Sequence, residues 1–211
     1  MAYRLYGERG SGAGIVEVAL AATGAPYEWI SVSLGDGEQR QAEYARLNPQ
    51  RKLPTLVTPE GEILTESAAI AIVLDERHPA ARLLPAPGSP ERAQALRWLM
   101  FVAAELYPIV EINDYPERFA PDASAVCAVR ELARGIWRER WLVLEAQVAG
   151  DPWLLASGFC FTDVYLASVS RWAQQDVWRP QHIPRIERIA AAVGALPSIG
   201  PIWRRHFESD A

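Results

Sequence analysis

The sequence predicts two domains of different class. A small α/β domain spans residues 1–78, an all-helical domain spans 91–211, and residues 79–90 link them. Three observations support this division. Residues 1–78 alternate strand-like and helix-like periodicity in the order β-α-β-α-β-β-α. Four prolines and one glycine between Pro79 and Pro90 break all periodicity. Beyond that stretch only helical spacing recurs.

Tyr3 to Tyr6 is aromatic and apolar, which suits a strand. Gly7 to Gly14, with four glycines in eight positions, is a loop. Ile15, Val18, Ala19 and Ala22 then recur at helical spacing, and Gly24 and Pro26 stop that helix. Tyr27 to Leu34 reads as a second strand, parallel to the first because a helix joins them. A polar turn over Gly35 to Gln41 leads into a short helix ending at Leu47. Thr55 to Thr58 and Glu62 to Leu64 flank Pro59-Glu60-Gly61 as a hairpin, with Gly61 left-handed. Glu66 to His78 is a helix with Ala69, Ile70, Val73 and Leu74 as its expected buried face.

In the helical part, Leu96, Leu99, Met100, Ala103 and Tyr107 fall on one face, with a kink expected at Pro108 and an end at Pro116 or Pro121. Trp137, Trp141, Leu144 and Val148 face inward on a second long helix. Thr162 to Ala173 forms a third helix. Ile186, Ile189, Ala190 and Val193 mark a fourth, and Ile199, Ile202 and Trp203 a fifth.

Composition narrows the function. With 50% apolar and 22% charged residues the chain folds without a metal or a disulfide. A net charge of −5, with arginines and acids interleaved, favours neither nucleic acid nor an anionic membrane. No apolar run approaches the ~18 residues of a membrane span, and no basic segment followed by an apolar stretch marks a signal peptide. Cys127 and Cys160 lack metal-ligand spacing, and His78, His182 and His206 are scattered, so no metal is expected. The two cysteines read as free thiols of a reducing cytoplasm.

Three local features carry chemistry. Pro54 immediately precedes a strand. A cis Leu53-Pro54 bond would turn the Leu53 N–H and C=O toward an extended peptide-like ligand; the alternative is an ordinary trans proline at a strand start. Glu66-Ser67 opens a helix, where Glu66 suits an ammonium group and Ser67 with its N–H a carboxylate; the alternative is a plain N-cap. Ser11 lies in the glycine loop, where its hydroxyl and nearby helix N–H groups favour an anion such as a thiolate; the alternative is a simple helix cap. The loop fails the GxGxxG dinucleotide spacing, and Leu34 ends the second strand without an acid.

Together these features resemble the glutathione transferase family over nearly the whole chain. The most specific stretch is Leu47-Asn48-Pro49-Gln50-Arg51-Lys52-Leu53-Pro54-Thr55-Leu56, followed by Leu64-Thr65-Glu66-Ser67-Ala68-Ala69-Ile70. The opening from Leu5-Tyr6-Gly7 to Ser11-Gly12 looks like the serine-type bacterial members, and Phe159-Cys160-Phe161-Thr162-Asp163-Val164-Tyr165 resembles the family's helix-start motif.

The resemblance implies a thioredoxin-like domain with a mixed four-stranded sheet, followed by the all-α domain. It implies glutathione as co-substrate, held by Gly12, Lys52, Leu53, Pro54, Glu66 and Ser67, with Ser11 activating the thiol and Tyr6 as the competing hydroxyl. Trp98, Tyr107, Asn113 and Tyr115 are expected to line the pocket of a small hydrophobic electrophile. The implied activity is conjugation of that electrophile in cytoplasmic detoxification by a homodimer. Glutathione-dependent disulfide reduction and non-catalytic binding are the alternatives. Two departures stand out. Arg51 replaces a common glycine before the lysine, and Cys160 stands where a Ser or Thr usually caps the helix, leaving Thr162 as an alternative cap. Arg9 is expected to reach the active site.

Overall fold

The structure, a computed structural model, describes residues 2–173 and 177–208. It divides into two compact units. One contains the chain up to Leu84 together with the residues from Gly194 onward; the other is Pro85–Val193.

In the first unit, β1 (Tyr3–Gly7) is the second strand of a four-stranded sheet of order β2-β1-β3-β4. Strand β2 (Tyr27–Ser31) runs parallel to β1, with Tyr6 opposite Ile30. Strands β3 (Thr55–Val57) and β4 (Ile63–Leu64) form the antiparallel hairpin, with Tyr6 opposite Thr55 and Leu56 opposite Leu64. Gly61, at φ 89°, takes the left-handed turn position that a side chain would strain. The mixed sheet is the expected one, but the second strand stops at Ser31 rather than Leu34. There the Leu34–Gly37 turn begins, with Glu38 accepting from the Ser33 N–H at 2.7 Å.

Helix α1 (Gly12–Thr23) departs from the expected amphipathic stripe. All residues from Gly12 to Leu20 are buried, including Glu17, because the sheet, α3 (Ser67–Arg77) and the C-terminal helix enclose it. On α3 the buried residues are Ser67, Ala68, Ile70, Ala71, Leu74 and Asp75. Ala69 is exposed and Val73 only half-buried, so the buried face is rotated from the expected one. Asp75 draws the chain inward by accepting from the Leu84 N–H at 3.0 Å, which buries Leu83 and Leu84 inside the stretch read as a linker.

The second unit contains α4 (Pro90–Phe101), α5 (Tyr107–Asp114), α6 (Val126–Glu145), α7 (Phe161–Ser170), α8 (Trp178–His182) and most of α9 (Pro184–Ala195). The short α2 (Ala42–Leu47) belongs to the first unit. Between α4 and α5, residues Val102–Leu106 widen into a π-turn, with Tyr107 N–H bonded to Val102 C=O. Pro108 lacks the N–H that would continue the ladder, so the expected kink takes this form. The buried face of α4 is Ala95, Trp98 and Leu99, continued by Val102 and Leu106. Met100 is exposed, which corrects the sequence-based face by one position. Trp137, Trp141, Leu144 and Val148 are buried, as read from the sequence.

Helix α10 (Gly200–Phe207) groups with the first unit rather than with the helical one. The expected domain of residues 91–211 therefore loses its C-terminal part, because α10 packs on α1 through the Glu17 cluster described below.

Candidate active site

Three loops leave the sheet at one end, and strand register places them there. The C-terminal end of β1 leads into Ser11. The N-terminal end of β3, opposite Tyr6, is preceded by Pro54. The C-terminal end of β4 leads into Glu66 and Ser67. Gln50 Nε2 reaches Glu66 Oε1 at 3.5 Å, joining two of these loops.

Leu53-Pro54 is a cis peptide, as one of the two sequence alternatives held. Its turn is built from below by three polar side chains. Asn48 Nδ2 donates to Lys52 O at 2.8 Å and to Thr55 Oγ1 at 3.1 Å, while Asn48 Oδ1 accepts from Gln50 N at 3.0 Å. Tyr44 OH donates to Lys52 O at 2.8 Å and lies 2.7 Å from Thr55 Oγ1. Asn48, Thr55 and Tyr44 are buried, and burial pushes the Tyr44 hydroxyl pKa upward. Tyr44 was not singled out in the sequence, and Thr55 was read only as part of a strand, although both sit within eight residues of Lys52. Pro54 is buried, Leu53 half-buried and Lys52 exposed. Arg51 adopts φ 56°, in the left-handed region that glycine favours, at a cost of roughly 1–2 kcal/mol.

Glu66 has φ 63° and ψ 103°, an unfavourable backbone for a residue with a side chain, and its carboxylate does not cap α3. Glu66 is exposed and Ser67 buried.

Ser11 is the N-cap of α1. Its Oγ donates to Glu8 O at 2.7 Å and accepts from Ala13 N at 3.2 Å and Glu8 N at 3.4 Å. Gly12 begins α1 and is buried. Tyr6 is half-buried, its ring 6.2 Å from that of Tyr44. Arg9 Nε donates to the Arg205 carbonyl on α10.

The four residues expected around an acceptor all belong to the second unit, each with its own partners. Trp98 is buried, edge-on to Phe101 at 5.5 Å, with the Arg97 guanidinium 4.3 Å from its ring. Tyr107 is half-buried, 4.8 Å from Trp172. Asn113 is buried, accepting from Arg134 Nε through Oδ1 at 3.0 Å and from Arg130 Nε through its carbonyl at 3.1 Å. Tyr115 is exposed, with Arg118 3.9 Å over its ring.

At the start of α7 the structure shows the first of the two caps that the sequence left open. Cys160 remains the N-cap of α7 in a capping box with Asp163, while Thr162 donates to Ala95 O at 3.1 Å and ties α7 to α4. Asp163 is fully buried and accepts from Cys160 N at 2.9 Å and Leu154 N at 2.8 Å. Burial still pushes its carboxyl up to about 6, and burial beside Asp163 pushes the Cys160 thiol up to about 11. Among the described residues no group of His, Cys, Asp and Glu could hold a metal, and no helix is long and apolar enough to cross a membrane.

Comparison with known proteins gives the relationship. The model of the glutathione S-transferase N-terminal domain matches residues 13–77. An uncharacterized GST-like protein of Escherichia coli strain K12, YncG, is 32% identical over 207 residues, which is 96% of this chain and 98% of the relative. The chain belongs to the glutathione S-transferase family. A probable maleylacetoacetate isomerase of Vibrio cholerae is likewise 32% identical, over 94% of both chains. Among solved structures, a glutathione transferase homolog from Sulfitobacter with bound glutathione has a TM-score of 0.87 over 98% of this chain and 99% of that one, at 22% identity. The glutathione S-transferase fold, a thioredoxin-like sheet unit followed by helices, is thus that of this chain.

Proposed function

We propose that this glutathione S-transferase family member binds glutathione at this end of the sheet and conjugates its thiolate to a small electrophile. The observation that carries the reading is that the cis-Pro54 turn, the Glu66-Ser67 helix start and Ser11 all lie at one end of the sheet. In the reading, Leu53 pairs through its backbone with the extended tripeptide and Lys52 meets a carboxylate. Glu66 holds the far ammonium, and Ser67 with the N-terminus of α3 holds the adjoining carboxylate. The unfavourable backbone of Glu66 is explained if it serves to aim that carboxylate at a ligand.

The sulfur then lies at Ser11 and Gly12. A free thiol titrates near ~8.5, and lowering it by about two units requires about 2.7 kcal/mol in favour of the thiolate. A charge-assisted hydrogen bond from Ser11 and the N-terminus of α1 are of that size together. To donate to sulfur, the Ser11 hydroxyl hydrogen has to leave the Glu8 carbonyl it now serves. The thiolate attacks the electrophilic carbon, a C–S bond forms and the leaving group departs with its electron pair. Of the four acceptor-side residues we retain Tyr107 and Tyr115 as contacts. Trp98 and Asn113 act on the pocket from within the helical core.

A second reading is favoured by the likeness to a probable isomerase: the same thiolate adds to a conjugated double bond, the bond rotates, and the thiolate leaves again. A cysteine-based redox reaction fits poorly, since neither cysteine lies in the sheet unit and the Cys160 thiol is held protonated. The cytoplasm, with its reduced thiols, is the compartment we propose. Isothermal titration with glutathione, then assays with an aryl halide, a cis-dienoate and a mixed disulfide, test these readings. Conjugation of the aryl halide is expected; no binding of glutathione would overturn the proposal.

A further inference from the structure

We propose that the C-terminal helix α10 clamps the loop carrying Ser11, and that His206 is the positioning residue, acting on the loop through the Gly10 amide. The proposal rests on the glutathione reading for its kinetic consequence, but not for the clamp itself.

Among the described residues, the loop from Glu8 to Ser11 and the first turn of α1 are held by α10 at three points. Gly10 N–H donates to His206 Nδ1 at 3.3 Å. Arg9 Nε donates to the Arg205 carbonyl. Gly14 lies against the imidazole so closely that a Cβ there would fall 2.6 Å from His206 Cγ and 2.8 Å from Nδ1. Only glycine permits that approach. Gly10 and Gly14 bracket Ser11 and the first residues of α1, so the clamp grips both flanks of the proposed thiol site.

The imidazole is itself fixed. Because Nδ1 accepts from Gly10, the ring proton sits on Nε2, which donates to Glu17 Oε2 at 2.5 Å. Glu17 is buried in α1 and also accepts from Tyr27 OH at 2.8 Å and Arg205 Nη2 at 2.6 Å. Burial alone would raise its pKa, but these three donors hold the carboxyl down at about 2. Trp29 on β2 backs the ring at 5.4 Å. A carboxylate that stays ionised keeps one tautomer in place, and that tautomer presents an acceptor to the loop.

Two substitutions separate the bonds. His206→Gln keeps a donor near the Nε2 position for Glu17 but loses the acceptor for Gly10. His206→Asn keeps an acceptor near Nδ1 and loses the donor to Glu17. Two readouts apply: amide hydrogen exchange at Gly10 to Ala13 in the free protein, and the ultraviolet titration of bound glutathione. The clamp predicts roughly fivefold to tenfold faster exchange in His206→Gln, the equivalent of one hydrogen bond, with the thiolate titration displaced upward. His206→Asn restores slow exchange and the lower titration, even where its melting temperature is the lower of the two. Exchange and titration that follow global stability in both variants, or change in neither, overturn the proposal. Should both His206 variants fail to fold, Arg9→Ala cuts an exposed tie to α10: faster loop exchange supports the clamp and unchanged exchange overturns it. If the wild-type protein binds no glutathione, the proposed function falls, while the exchange data still decide the clamp.

Discussion

At Glu66 and Ser67 the proposed interaction lies at the far end of the tripeptide from sulfur. Such contacts are nearly equal in ground and transition states, so Glu66→Ala or Ser67→Ala should raise KM severalfold while kcat changes little. Steady-state kinetics against glutathione check this; a collapsed kcat at constant KM would remove the assignment. Glu17 makes a separate prediction about acid. Its folded pKa, about 2, lies below the ordinary value of 4.5. Between these values the unfolded chain binds the extra proton, so this group stabilises the fold above pH 4.5 and loses its contribution as pH falls toward 2. The full effect is about 3 kcal/mol. Urea melts from pH 6 to 3 should show wild type losing stability more steeply than Glu17→Gln; parallel losses would contradict it. Glu17 left one trace in the sequence, a lone acid within the apolar run Gly14 to Leu20. That trace could not name His206 as partner, since the two are joined only by tertiary packing.

The elements show why some of the site was legible and some was not. Pro54 before a strand and Glu66-Ser67 before a helix are local signals, because backbone chemistry fixes what proline and a helix start can do. The hairpin was legible for the same reason, through Gly61. Buried faces were less so: α1 is enclosed on nearly all sides and α4 turns Met100 outward, outcomes set by neighbouring elements rather than by periodicity. The start of α7 depends on Asp163, which satisfies two buried backbone N–H groups. Asp163→Ala leaves both without an acceptor, at about 1–3 kcal/mol each. Thermal denaturation should show a loss of several degrees or failure to accumulate folded protein. A variant as stable as wild type would show that Cys160 and Leu154 find other acceptors.

On the scale of the molecule, we expect a homodimer, and sedimentation at micromolar concentration checks it; a species at the 23.4 kDa chain mass would contradict it. The grouping of α10 with the sheet unit changes how the chain is read as a whole, because the last helix completes the domain that the first residues begin. The central proposal is that this end of the sheet is a thiolate site with Ser11 as the donor. Losing a charge-assisted hydrogen bond costs about 1.5–3 kcal/mol, or about one to two pKa units. The most direct measurement is the thiolate absorbance of the glutathione complex against pH, for wild type, Ser11→Ala and Tyr6→Phe. A rise of that size is expected in Ser11→Ala and almost none in Tyr6→Phe. A rise in Tyr6→Phe with Ser11→Ala unchanged would contradict the proposal.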